Sequence, residues 1–247
     1  MDTTDRHGSN STMIPGFGLL FGLLLMFGGT SSAVRAQYGK PYQQWTANEA
    51  EALIRNSPWA QTRAEPMSVT TLDPRTEPAD TVVTVSLRSA LPVRQARTRL
   101  TQLKNKYDKR NDHEKALIDA KTKLLLECPE CAEYYVVAIS PGPKSTNPRF
   151  KNLPWDISLG GMKKYVEIKN EKGETRELVK FVGPDFNDGE AVLYFSRFNS
   201  KGEPLISPAN RMITISVDSR LLKWAPWKLQ KFEFEVSKII VNGQVIF

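Results

Sequence analysis

Few residues in this chain are of a type and spacing that carry chemistry. Its only cysteines are Cys128 and Cys131, separated by Pro129 and Glu130. That CxxC spacing suits a local disulfide, a dithiol redox centre or half of a zinc site. A closed zinc site needs four ligands, and neither a second CxxC nor a nearby His pair accompanies this one. A thioredoxin-like dithiol stands after a strand and at the start of a helix, where the helix dipole lowers the thiol pKa. Here the pair ends a helical stretch and precedes the apolar run at 134–139. A structural disulfide is therefore the favoured reading, and a thiol–disulfide role for Cys128 and Cys131 is the alternative.

The imidazoles are His7 and His113. His113-Glu114 begins the HExxH pattern, but Leu117 stands where the second histidine belongs. No Gly-x-Ser-x-Gly elbow, phosphate loop or dinucleotide fingerprint is present. The acids between Asp185 and Glu190 resemble the start of a calcium loop, yet Glu190 holds the position at which that loop needs glycine, so a hairpin turn is expected. Carboxylate pairs drawn from distant segments leave no local mark. The sequence thus marks no catalytic residues, no metal-ligand set and no cofactor motif, and points to a protein that binds rather than catalyses.

Two kinds of binding surface are suggested. Pro58-Trp59, Pro154-Trp155 and Pro226-Trp227 repeat a pairing, and Trp59, Trp155 and Trp227 would stack on sugars if exposed or pack in the core if buried. Residues 92–126 hold ten Lys and Arg against four Asp and Glu, most of the chain's formal charge of +7. Within that stretch Arg94, Arg97, Lys104 and Lys106 are candidates for holding an anionic partner, the other reading being a solvated helix face.

The elements that must position these residues follow from periodicity. Thr46 with Glu49 forms a capping box, and Ala50, Leu53 and Ile54 stripe a helix that Ser57-Pro58 stops. The segment at 65–80 reads as an extended linker, and strict alternation of Val83, Val85 and Leu87 predicts a strand at 81–88. Pro92 opens a helix striped by Val93, Ala96, Leu100, Leu103 and Tyr107. Asn111 and Glu114 cap a second helix, whose expected apolar stripe is Leu117, Ala120 and Leu124. A strand at 134–139 follows, then strands at 165–169, 176–182, 191–198, 212–218, 229–236 and 239–247, with a hairpin turn at Asn242-Gly243. The expected fold is α+β: an antiparallel β-sheet or sandwich with an N-terminal helix and an inserted antiparallel helical hairpin.

Upstream lies an uncharged apolar run at 13–29, followed by Val34-Arg35-Ala36, which suits signal-peptidase cleavage before Gln37. Export to the periplasm or the cell exterior is expected, with no transmembrane anchor left after cleavage. The residues before the run carry no net positive charge, so a start at Met13 is the alternative. Export argues against nucleic acid as the partner of the basic stretch and favours an envelope protein or an anionic polymer. The expected organisation is a signal peptide at 1–36, a helix, strand and helical-hairpin region at 37–140, and a β-rich region at 141–247 that shares one core with it or forms its own.

Trp45, the Ser57-Pro58-Trp59-Ala60 segment, and Ser89-Ala90-Leu91-Pro92-Val93-Arg94-Gln95-Ala96, together with the run Tyr135-Val136-Val137-Ala138-Ile139, resemble an uncharacterised family of exported acidobacterial proteins. That resemblance spans most of the chain after residue 36. It implies export and a shared architecture, and carries no activity, ligand or site residue with it.

Overall fold

The computed structural model describes residues 39–65, 81–141, 157–184, 189–222, 229–241 and 244–245. The expected leader at 1–36, the linker at 66–80, the loop at 185–188, Trp155, Trp227 and the turn at Asn242-Gly243 lie outside the described residues.

A 3-10 turn at Tyr42–Gln44 leads into α1 (Ala47–Arg55). The α1 capping box is present: the Thr46 hydroxyl accepts from the Glu49 backbone N–H, and the Glu49 carboxylate accepts from the Thr46 N–H at 2.7 Å. Strand β1 (Ala60–Glu65) pairs antiparallel with β2 (Thr81–Leu87). Sequence periodicity misses β1, because its residues Gln61 and Arg63 stand where an apolar alternation would be sought. Helices α2 (Leu91–Lys104) and α3 (Asp112–Glu127) form the helical hairpin, joined through a second 3-10 turn at Tyr107–Lys109. Asn111 caps α3 in a second capping box with Glu114.

Strand β3 (Tyr134–Pro141) returns beside β2, and a single-turn helix, α4 (Leu159–Met162), precedes β4 (Val166–Asn170). The remaining strands are β5 (Thr175–Arg176), β6 (Leu178–Val182), β7 (Ala191–Ser196), β8 (Met212–Asp218) and β9 (Leu229–Glu235). One turn of helix, α5 (Ser219–Leu222), follows β8, and another, α6 (Val236–Ile239), follows β9. A two-stranded ribbon of β10 (Ile240–Val241) and β11 (Gln244–Val245) closes the described chain.

The strands form a five-stranded sheet in the order β1-β2-β3-β7-β6 and a four-stranded sheet in the order β5-β4-β8-β9, all antiparallel. The fold is therefore α+β. The first sheet takes strands from both sides of residue 141, and Lys40–Phe247 forms one compact unit. Only Glu177 separates β5 from β6, so the chain passes from one sheet edge to the other almost without a break.

At the opposite edges β1 meets β9. The Gln61 amide donates to the Glu233 carbonyl, and the Arg63 guanidinium lies 4.9 Å from the centre of the Phe232 ring. Register places Arg63 on the same face as Val83, and Phe232 on the same face as Ile215. Their contact therefore turns the apolar faces of the two sheets toward a common interior. Val83, Val85, Tyr135, Val137, Leu193, Phe195, Ile168, Ile215 and Phe234 fill it. This β1–β9 junction carries no ladder, so the sheets remain two and do not close into a barrel.

Helix α1 lies on β1 and β2, α2 lies against α1, and α3 lies outermost against α2. That layering corrects two expectations. On α2 the buried residues are Pro92, Val93, Arg94, Ala96, Thr98, Arg99 and Gln102, while Leu100 and Leu103 are half-buried. Arg94, Arg99 and Gln102 reach the inside there because each finds a carbonyl or carboxylate partner. On α3 the expected stripe is turned outward: Leu117 is 53% and Leu124 70% exposed, and Thr122 is the buried residue. The side of α3 facing α2 is instead made by Ile118, Thr122, Leu125 and Leu126.

Candidate functional site

The four basic candidates divide into two pairs. Arg94 is buried: its Nε donates to the Ser89 carbonyl at 3.0 Å, and Nη1 donates to the carbonyls of Leu126 and, at 2.9 Å, Glu127. A cation at the end of α3 is favoured by the helix dipole and by the free carbonyls of the last turn. Burial lowers the Arg94 pKa from its ordinary value. Arg97 is taken by Glu190 at 2.7 Å, and Arg88 meets the same carboxylate at 3.3 Å. These two candidates thus serve the fold. Lys104 and Lys106 are exposed at the end of the hairpin, Lys106 in the left-handed backbone region with φ 55°.

Other lysines of the hairpin share with these two the lack of an acidic partner among the described residues. Among the described residues Lys104, Lys106, Lys109 and Lys121 have no acidic partner, whereas Arg110 pairs with Glu114 at 3.0 Å and Arg99 with Asp108 at 2.8 Å. The Arg99 guanidinium grips Asp108 with both terminal nitrogens and holds that carboxyl below its usual range. His113 is exposed in the first turn of α3. The outer side of α3 therefore presents Leu117 and Leu124 with Lys121 between them, and the loop end of the hairpin adds Lys104, Lys106 and Lys109.

The Cys128–Cys131 pair is a disulfide. Cys128 ends α3 in the left-handed region at φ 46°, Pro129 begins a 3-10 turn, and Cys131 is buried against Val136 and Val192. Tyr134 and Tyr194 flank it edge to face with ring centres 6.1 Å apart, and the Cys131 carbonyl accepts from Arg197 Nη1 at 3.0 Å. Nearby, Lys180 bonds Glu130 at 2.8 Å, which lowers the Glu130 pKa, and lies 4.4 Å over the Tyr194 ring. Among the described residues no helix of two turns or more begins at either cysteine, so the pair lacks one of the settings that lower a thiol pKa.

Trp59 is fully buried and Trp45 nearly so, which makes both core residues and gives Trp59 the packing role of the two expected, removing it as a candidate sugar platform. No group of three or more His, Cys, Asp or Glu side chains among the described residues could hold a metal ion. Among the same residues no helix is long and apolar enough to cross a membrane.

Sequence reasoning misses one further site. A cleft of about 320 Å³ lies between the first 3-10 turn and the helical hairpin, lined by Tyr42, Gln102, Tyr107, Asp119, Leu126 and Glu127 among others. Its residues come from three separate segments, so no local spacing announces it. No known protein family, curated protein or solved structure matches the chain.

Proposed function

We propose that this chain is an exported, non-enzymatic binding protein of the cell envelope, and that its helical hairpin docks on an anionic surface. One observation carries the reading: Leu117 and Leu124 stand exposed on α3 with Lys121 on the same face, and Lys104, Lys106 and Lys109 lie at the loop end of the hairpin, all four lysines without an acidic partner among the described residues. Apolar side chains flanked by lysines are the pattern of an element lying at an anionic membrane interface, where burial and charge attraction add. Export is supported by the uncharged apolar run at 13–29 and by the Val34-Arg35-Ala36 sequence before Gln37, and a paired CxxC suits an oxidising compartment. A thiol-exchange role draws no support from a pair whose Cys131 is buried, nor a sugar platform from a buried Trp59.

The test is co-sedimentation of the purified protein with phosphatidylglycerol vesicles and with neutral phosphatidylcholine vesicles. Binding to the anionic vesicles alone, weakened by salt and lost in Leu117→Ser/Leu124→Ser and in Lys104→Glu/Lys106→Glu, supports the reading. Equal partitioning of wild type and variants removes it.

A further inference from the structure

The cleft beside Tyr42 contains a buried acceptor without a donor. Gln102 is only 1% exposed; its Nε2 donates to Asp119 Oδ1 at 3.0 Å, and its Oε1 has no hydrogen-bond partner among the described residues. The amide cannot exchange its two ends to cure this, because a carboxylate accepts only, and turning the amide would set Oε1 against Asp119. The other Asp119 oxygen accepts from the Tyr107 hydroxyl at 2.8 Å. Gln102, Tyr107 and Asp119 are thus locked in an arrangement that leaves one acceptor unmet, at a cost in folding free energy.

The remaining lining sets the kind of donor that fits. Glu127 adds a second carboxylate, and Tyr42 and Tyr107 add aromatic rings, of which Tyr107 already has the Lys115 ammonium 5.8 Å from its centre, the kind of contact a cation favours. Both hydroxyls stay neutral: the hydrogen bond to Asp119 pushes Tyr107 up to about 12, and burial together with Asp119 raises Tyr42. Lys123 also borders the cleft, but it is an exposed residue engaged loosely with Glu127 at 3.8 Å. The volume, about 320 Å³, is at the small end for ligand sites, room for a short chain and not for a nucleotide.

We propose that this cleft binds a small organic ammonium ion, its charge on Asp119 and Glu127, one N–H on Gln102 Oε1, and its alkyl part against Leu126 and the tyrosine rings. Neither Leu117 nor Leu124 lines the cleft, so this site stands or falls apart from the docking of α3 on vesicles.

The probes are n-butylammonium chloride, representing a free amine, and Nα-acetyl-lysine-N-methylamide, representing a lysine side chain. Each is titrated into the purified protein against sodium chloride of equal ionic strength, with calorimetry and the ring-proton shifts of Tyr42 and Tyr107 as readouts. The discriminating variant is Asp119→Asn. Its carboxamide still accepts from Tyr107, and it can donate to a turned Gln102, so the local bonds are remade while the charge is lost. Saturable binding by wild type is expected, weakened about tenfold or more in Asp119→Asn, and unchanged in Lys201→Gln, in the exposed loop between β7 and β8. Binding of both probes supports a site for the ammonium head whatever bears it, and binding of butylammonium alone supports a free small amine as ligand. Absence of a saturable response beyond the sodium control, or equal affinity of wild type and Asp119→Asn, overturns the proposal.

Discussion

Arg94, near the start of α2, holds the last carbonyl of α3: its Nη1 donates to the Glu127 oxygen at 2.9 Å, across 33 residues of chain. The same guanidinium satisfies Ser89 and Leu126, so one side chain ties both ends of the helical hairpin to the strand exit before it. Arg94→Ala leaves these carbonyls unpaired in a buried setting and is expected to cost about 2–4 kcal/mol. Arg94→Lys keeps the charge, loses the planar fork, and should recover less than half of that loss. Urea unfolding followed by circular dichroism measures both.

The left-handed backbone at Cys128 leads to a second prediction. A residue with a side chain is disfavoured there by roughly 1–2 kcal/mol relative to glycine, and the bond to Cys131 holds it in place. Cys128→Ser/Cys131→Ser should lower stability by about 2 kcal/mol, as expected for so short a closed loop. Cys128→Gly/Cys131→Ser should be the more stable of the two double variants, by about 1 kcal/mol. Equal denaturation midpoints for the two would contradict a left-handed helix end.

Acid should loosen the start of α1. The Glu49 carboxyl is drawn from an ordinary 4.5 to about 2, first by Lys40 and then by the Thr46 N–H and hydroxyl. A carboxyl whose pKa is lower in the folded than in the unfolded chain adds stability above the unfolded value, and that contribution fades as pH falls toward the folded one. The window here runs from about 4.5 down to about 2. Glu49→Gln should flatten the pH dependence of stability across it, and a carbon-detected titration of the Glu49 side chain should show the low midpoint directly.

Much of this architecture is legible in the sequence because it is local. The capping boxes Thr46-Glu49 and Asn111-Glu114 each lie within four residues, and both form. Alternation marks β9, where Phe232 and Phe234 face in and Lys231, Glu233 and Glu235 face out. The orientation of the helices is not legible, because Arg94, Arg99 and Gln102 enter the interior through partners such as Glu127, Trp45, Asp108 and Asp119 that lie elsewhere in the chain. The outward turn of Leu117 and Leu124 follows from α3 being the outermost layer, which no helical period records. The cleft is hidden for the same reason, as Tyr42 and Asp119 meet only after three helical segments have packed.

The β1–β9 junction is held by two side chains of β1, Gln61 and Arg63. Arg63→Ala/Gln61→Ala removes the stacking on Phe232 and the bond to Glu233, and should cost about 1–2 kcal/mol. Because no ladder crosses this junction, the loss should appear first as faster amide hydrogen exchange in β1, with β2 and β3 little changed. Uniform acceleration across all three strands would instead mean that β1 opens only with the whole sheet.

Gln61 and Glu233 are 172 residues apart. In a chain made from its N-terminus, β1 must wait for almost everything that follows before its free edge is covered. Contacts spanning such distances slow folding and leave strand edges open to pairing with other chains in the interval. Arg63 at that edge carries a charge that opposes such pairing until Phe232 arrives to receive it. One side chain thereby guards the edge during assembly and fastens it afterwards.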